Sequence, residues 1–315
     1  MRDTTIMVGA RKSQLSLTQT NQVIAFLKAS FPDHVFELKT ISTAGDRSMD
    51  HAALFNHQGI FVKEIEEALL RGEIDLGIHS LKDMPCDIQG GLELGAVSQR
   101  EDPRDAFLTT TGTLFKDLKP GSRIGTSSVR RRAQVLLARP DLQISEMRGN
   151  VDTRLRKLRE GDVDALIIAC AGVVRLGQGG LITERMPFDI MLPAPCQGAL
   201  GLEIRKGDRR VADIVKPFDH PATRAAVTAE RSFLKNLGGG CSLPVGALAT
   251  LEGDVLSLIG QVVDPDGKRQ VKKVVKGPVS DAGAIGKRLS EELLNSDGDW
   301  IRVALQSPYP KKMEG

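Results

Sequence analysis

Leu70-Arg71-Gly72-Glu73-Ile74-Asp75 and, far downstream, Arg159-Glu160-Gly161-Asp162-Val163-Asp164 say nearly the same thing twice. Each reads as the end of a helix, a glycine stop, an acidic turn and the entry to a strand. Glycine is the usual residue just past a helix because it takes the left-handed conformation without a Cβ clash. Working outward from the first copy, Phe61 to Leu70 has helical periodicity and Asp75 to His79 reads as a strand. Thr5 to Gly9 and Phe36 to Ile41 are further strands, separated by an amphipathic run from Leu15 to Lys28. Around the second copy, Arg123-Ile124-Gly125, Gln143 to Met147 and Asp164 to Ala169 read as strands. Val129 to Ala138 and Val151 to Arg159 read as helices, with N-cap candidates at Thr126-Ser127-Ser128. Strands alternating with helices predict parallel α/β sheets. A block given twice predicts two similar lobes with a cleft between them, and ligands of such sheets bind at strand carboxyl ends.

The remaining chain reads differently. Pro193-Ala194-Pro195 has the composition of a hinge, and Gln197 to Glu203 returns the chain to the first lobe. A linker near Pro217 to Pro221 opens a small α+β domain. It reads as a helix (Ala222 to Asn236), strands near Val245 to Leu251, Val255 to Val263 and Arg269 to Val275, and a helix from Ala282 to Leu294. The expected division is 1–98 with 199–217, then 104–192, then 220–315. Inside the last part lies Leu237-Gly238-Gly239-Gly240-Cys241-Ser242-Leu243-Pro244, three glycines before one thiol. Such a run lets another molecule approach the main chain closely. Ala44 to His57 is polar and irregular, as in a lid, and the tail after Ser307 reads as loose.

Charge and composition narrow the partners. A net charge of +3 on 315 residues is too small for a polycationic nucleic-acid binder, and 4% aromatics leave little for base stacking. Cys86, Cys170, Cys196 and Cys241 form no C-x-x-C pair and have no histidine at metal-ligand spacing, so neither a disulfide framework nor a metal site is expected. No stretch is apolar enough for a membrane span, and the opening residues lack a signal core. The expectation is a reducing, cytoplasmic compartment.

Two constellations carry chemistry. Arg11, Arg130, Arg131, Arg132, Arg148, Arg154 and Arg175 fall mostly at strand carboxyl ends or helix N-termini. Guanidinium forks grip carboxylates and phosphates there, aided by the helix dipole, so the ligand should be polyanionic. No G-x-x-x-x-G-K-[ST] loop is present, which leaves a P-loop nucleotide site unsupported. The second is Asp83 in His79-Ser80-Leu81-Lys82-Asp83-Met84-Pro85, a carboxylate at a strand end that could steady a developing cation or move a proton. The residues alone leave two readings open: an enzyme doing covalent chemistry at an accessible thiol, or a non-catalytic bilobal anion-binding protein.

The chain resembles the porphobilinogen deaminase family along nearly its whole length. The motifs are Ser42-Thr43-Ala44-Gly45-Asp46, Phe61-Val62-Lys63-Glu64, His79-Ser80-Leu81-Lys82-Asp83, Gly125-Thr126-Ser127-Ser128-Val129-Arg130-Arg131, Arg148-Gly149-Asn150, Gln197-Gly198-Ala199 and Gly239-Gly240-Cys241. The resemblance implies two lobes similar to periplasmic binding proteins plus a C-terminal domain. It implies a monomer that condenses porphobilinogen stepwise into linear hydroxymethylbilane, releasing ammonia, in tetrapyrrole biosynthesis. It implies a dipyrromethane cofactor joined by a thioether to Cys241, with Asp83 as the catalytic carboxylate. Arg11, Ser80, Lys82, Ser128, Arg130, Arg131, Arg148, Arg154, Arg175 and Gln197 would bind the carboxylates of cofactor and growing chain, and Gln58 and Phe61 would belong to the lid. The sequence departs from the family pattern twice: Gln58 stands where lysine is usual, and Cys196 where glycine is common.

Overall fold

The computed structural model describes residues 4–43, 62–239 and 243–306. Strand β1 (Thr5–Arg11) leads to helix α1 (Gln14–Ser30). Ser13 caps that helix, its Oγ accepting the Ser16 N–H at 3.3 Å. Strand β2 (Val35–Ile41), helix α2 (Lys63–Leu70) and strand β3 (Leu76–Ser80) follow. Leu81–Asp83 makes a single 3-10 turn before strand β4 (Leu92–Val97). The next elements are β5 (Asp105–Leu108), β6 (Arg123–Gly125), α3 (Val129–Ala138) and β7 (Gln143–Ser145). Then come α4 (Val151–Glu160), β8 (Ala165–Ala169), α5 (Cys170–Arg175) and β9 (Glu184–Arg185). The chain closes with β10 (Leu200–Arg205), α6 (Arg209–Val215), α7 (Pro221–Asn236), β11 (Val245–Glu252), β12 (Val255–Val263), β13 (Gln270–Pro278) and α8 (Ala282–Gln306). Gly161 stops α4 at φ 83°, and Gly72 has φ 68°, the conformation both quoted stretches require.

The chain divides into two compact units, Met1–Glu101 with Gly198–Arg224, and Asp102–Gln197 with Ala225–Gly315. The first holds a sheet of order β2-β1-β3-β10-β4, over a core that includes Ile6, Val8, Val23, Leu27, Ile78 and Leu202. The second holds a sheet of order β7-β6-β8-β5-β9 and the antiparallel meander β11-β12-β13.

The two five-stranded sheets share one plan, and it corrects the expectation of parallel sheets. In each, four strands run one way and the fourth in spatial order runs against them: β10 against β3 and β4, β5 against β8 and β9. Strands β5 and β10 are where the chain passes from one unit to the other, so no right-handed strand–helix–strand crossover dictates their direction. Neither β4 nor β5 is evident in the sequence. Ala106-Phe107-Leu108 is buried on both faces and shows no alternation to betray it.

In the meander, Gly260 faces Phe233 of α7 and Leu289 of α8. A Cβ there would meet both at 2.7 Å, so the close approach of helices to strand needs glycine. Helix α8 runs on to Gln306, past the expected end at Leu294. Its stripe continues beyond the polar Asn295-Ser296 through buried Ile301 and Ala304.

Within the second unit the segment expected to be a hinge is fastened along its length. Gln134 of α3 exchanges two hydrogen bonds with Leu192, its Nε2 donating to the carbonyl at 3.0 Å and its Oε1 accepting the N–H at 2.7 Å. The Ala247 N–H donates to Pro193 O at 2.9 Å. Glu230 of α7, fully buried, accepts from the Cys196 N–H at 2.5 Å and the Ala249 N–H at 2.7 Å.

Candidate functional site

In the first unit the expected residues gather at one sheet edge. Gly9 and Gly77 are paired in register, so the ends of β1 and β3 lie side by side with Arg11 on one and Ser80 on the other. Ser80 Oγ and the Gln19 side chain bond to each other, with Gln19 Nε2 donating at 3.1 Å. The Leu81 N–H donates to Ala199 O at 3.0 Å, which anchors the turn to the strand next door. Leu81 and Met84 are buried, and Lys82 and Asp83 between them are half-buried.

Directly behind this edge is a group that sequence reasoning missed. His79 Nε2 lies 3.0 Å from Glu203 Oε2, and both side chains are buried. Glu66 of α2 is also buried. Burial, and then the charge of Glu203, push its carboxyl up to about 7, with His79 acting the other way.

In the second unit the organising residue is Asp105, also missed. It is fully buried and accepts from Arg130 Nη1 at 2.7 Å, Arg131 Nη2 at 2.7 Å, Arg131 Nε at 3.0 Å and Gln197 Nε2 at 2.9 Å. Burial opposes its charge, but the two guanidiniums prevail and hold the carboxyl well below the usual range. Asp105 lies in Glu101-Asp102-Pro103-Arg104-Asp105, a run that reads as solvated loop. Its only signal is that it opens an apolar stretch.

This changes the picture of the arginines. Arg130 is 4% exposed and donates to both Asp105 and Leu192 O, so much of its donor capacity goes to holding the fold rather than a ligand. Arg131 likewise leans on Asp105 while its backbone N–H meets Ser128 Oγ, the N-cap of α3, at 3.4 Å. Arg148 pairs with Glu146, and Arg175 ends α5 half-buried.

Arg154 is different. It donates to Gly149 O at 2.9 Å and Ser127 Oγ at 3.2 Å, and no carboxylate meets it among the described residues. Burial, and then the like charge of Arg131, lower it to about 10. A half-buried arginine beside another, with no acid of its own, is suited to the acetate and propionate groups of pyrroles, so these residues fit dipyrromethane.

Cys241, Gln58 and Phe61 lie outside the described residues, as do the expected lid and tail. Of the three glycines, the first two are spent on ending α7. Gly238 and Gly239 take φ 108° and 64°, and their N–H groups donate to Lys235 O and Leu234 O. Cys196 holds φ 64°, the sole positive φ of a non-glycine residue among those described, a conformation that glycine takes without strain. Its thiol is buried. Burial also pushes Cys170 up to about 12, so that thiol is no competing nucleophile. Among the described residues no cluster could hold a metal ion and no helix is long and apolar enough to cross a membrane.

Residues 6–213 match the family model described as porphobilinogen deaminase, dipyromethane cofactor binding domain, and residues 224–295 match that of the C-terminal domain. The chain belongs to the porphobilinogen deaminase family. The porphobilinogen deaminase of Pelotomaculum thermopropionicum is 48% identical over 96% of this chain and 97% of its own. That of Geobacter sulfurreducens is 47% identical over 94% and 93%, and that of Brevibacillus brevis 47% over 95% and 97%. Among solved structures, the methionine-binding protein MetQ overlaps 69% of this chain and 89% of its own, with a TM-score of 0.43 and 15% identity. Membership decides between the two readings left open by the residues. The chain is a transferase that condenses porphobilinogen into hydroxymethylbilane and releases ammonia, and it uses dipyrromethane.

Proposed function

We propose that Cys241 carries dipyrromethane through a thioether, that Asp83 is the catalytic carboxylate, and that the arginines of the second unit hold the carboxylates of cofactor and growing chain. The observation that carries this is Arg154, a half-buried cation beside Arg131 that no acid of the described chain meets. When bound, dipyrromethane supplies the pyrrole carbon from which the product chain grows. The protein's own residues do the rest. Ser128 Oγ accepts from the Arg131 N–H and Ser127 Oγ from Arg154 Nη2, which holds both arginines near the N-terminus of α3. Arg11, Ser80 and Lys82 offer donors at the first sheet's edge, around Asp83. A carboxylate there stabilises the positive charge that develops on a pyrrole nitrogen as ammonia departs. Arg148, Arg175 and Gln197 complete the binding set, and Gln58 and Phe61 belong to a lid. The three-part division at 1–98 with 199–217, 104–192 and 220–315 goes with this reading, as does a cytoplasmic monomer that needs no nucleic acid.

Intact-mass measurement and peptide mapping test the attachment. The purified protein, or the apo form after incubation with porphobilinogen, should gain two pyrrole units on Cys241 alone. An adduct on Cys86, Cys170 or Cys196, or none at all, sinks the assignment. Asp83→Asn should keep the adduct and its melting temperature yet lose roughly a hundredfold in turnover, the usual cost of removing one electrostatic stabiliser. Normal turnover in that variant would remove Asp83 from the mechanism.

A further inference from the structure

Both flanks of the stretch that holds Cys241 return to one short segment, residues 192–196. On the entry side α7 runs up to Gly238 and Gly239, and its Glu230 accepts the Cys196 N–H. The other oxygen of that buried carboxylate accepts the Ala249 N–H at 2.7 Å, so one side chain joins the segment, the helix and β11. On the exit side β11 begins at Val245, and Gly246 is pressed onto Leu192. A Cβ at Gly246 would lie 2.8 Å from Leu192 Cβ and 3.0 Å from Leu192 O. Gly246 is regular strand, paired with Gln261 and without a positive φ, so it is the close approach that calls for glycine. The next residue, Ala247, donates its N–H to Pro193 O at 2.9 Å.

The same segment is gripped by α3. Leu192 O accepts from Arg130 Nη1 at 2.7 Å and Gln134 Nε2 at 3.0 Å, and the Leu192 N–H donates back to Gln134 Oε1 at 2.7 Å. A second fastening reaches α3 from the turn between β12 and β13. Gly267 lies so near that a Cβ would meet Leu137 N at 2.5 Å. Arg132, which the binding set leaves out, donates to Pro265 O of that turn at 3.4 Å. Arg131 stands on the first turn of α3, and Arg154 donates to Ser127 Oγ just before the cap. All these groups belong to the second unit.

We propose that residues 192–196 are a positioning bridge: with Gly246 and Gln134 they hold the flanks of the Cys241 stretch at a set distance from Arg131 and Arg154, so that the attachment point and the cations form one body. The bridge touches no substrate. Its role rests on the reading that dipyrromethane is joined to Cys241 and held through its carboxylates by these arginines. A group tethered close to its binding site meets it at high effective concentration, which falls when the tether point drifts. A bound group raises the melting temperature only as far as its contacts with the folded state are made. The rise from apo to loaded protein therefore reads the bridge, whereas packing lost elsewhere lowers both forms alike.

The test takes full-length protein, apo and after incubation with porphobilinogen, and records melting temperature, intact mass and kcat. The variants are Gly246→Ala and Gly246→Val. A side chain suits a strand better than glycine does, so any loss arises at Leu192. Gly246→Ala should reduce the apo-to-loaded rise. Gly246→Val should reduce it by about half or more, with complexes of incomplete pyrrole number building up and kcat about tenfold lower. Gly260→Ala overpacks the other face of the same sheet, against Phe233 and Leu289, and should lower both forms while keeping the rise. The bridge is overturned if Gly246→Val keeps the parent's rise and pyrrole numbers, or if Gly260→Ala loses the rise to the same extent. A Cys241→Ser protein that shows the rise, or an Arg154→Met protein that elongates normally, would instead break the reading on which the bridge rests, whatever Gly246→Val does.

Discussion

Strands β5 and β10 hold the same place in their sheets, antiparallel beside the last of three parallel strands, and each buries one carboxylate. Asp105 on β5 meets two guanidiniums and an amide. Glu203 on β10 meets one imidazole and a neighbouring acid, and one of its oxygens has no partner among the described residues. The first arrangement is over-compensated, and its charges are fixed at any pH near neutrality. The second is short of positive charge, and burial with the charge of Glu203 pushes the neighbouring Glu66 up to about 7. One plan used twice has produced a rigid anchor in one unit and a titrating group in the other. The difference lies in which side chains the surrounding helices bring: Arg130 and Arg131 from α3, Glu66 from α2.

The largest effect should come from breaking the anchor. Asp105→Asn leaves Arg130 and Arg131 buried without their counter-ion, which costs about 3–5 kcal/mol in denaturant unfolding. Glu203→Gln keeps a hydrogen-bond partner for His79 and relieves Glu66, so it should change stability by only about 1 kcal/mol. Equal losses from the two substitutions would show that the contrast between the sheets is only apparent.

Substituting arginines sharpens the same contrast at a smaller scale. Arg130→Met removes a buried donor from Asp105 and Leu192 and should cost about 2 kcal/mol of stability. Arg154→Met removes a cation with no acid of its own, and should shift stability by less than about 0.5 kcal/mol. It should nonetheless stall the enzyme, with complexes of incomplete pyrrole number visible by mass spectrometry. A destabilised Arg154→Met protein that elongates normally would place that arginine with Arg130 as a structural cation.

The remaining effect is a slope with pH, spread over several units rather than seen at any one pH. Glu66 is raised from 4.5 to about 7 in the fold, so the folded state holds a proton that the unfolded chain has released. Its contribution is fully present below about pH 4.5 and is lost as pH rises through about 7, amounting to at most about 3 kcal/mol. Asp105 has the opposite sign. Its carboxyl is lowered, so its contribution is present above the unfolded value of 3.8 and lost only in stronger acid. Denaturant midpoints taken from pH 4 to 8 should therefore fall in the parent and flatten in Glu66→Gln. An unchanged slope in that variant would mean that Glu66 ionises as if in water.

Much of this protein could be read from neighbouring residues. Gly72 and Gly161 announced helix ends because only a residue without Cβ turns left-handed cheaply, a requirement met within the chain's own few atoms. Ser128 announced α3 because its hydroxyl needs a donor three residues on and nothing more. The strand and helix periods, the glycine run before Cys241 and the ordered motifs of the family are of the same local kind. The direction of β5 and β10, and the compensation of charge, are not. Asp105 finds Arg130 across 25 residues and Gln197 across 92, and Glu203 finds His79 across 124. Nothing in an aspartate or an arginine says whether its partner will be a ligand, water or another side chain. That depends on which groups are left together once water has been excluded, and only the folded chain decides it.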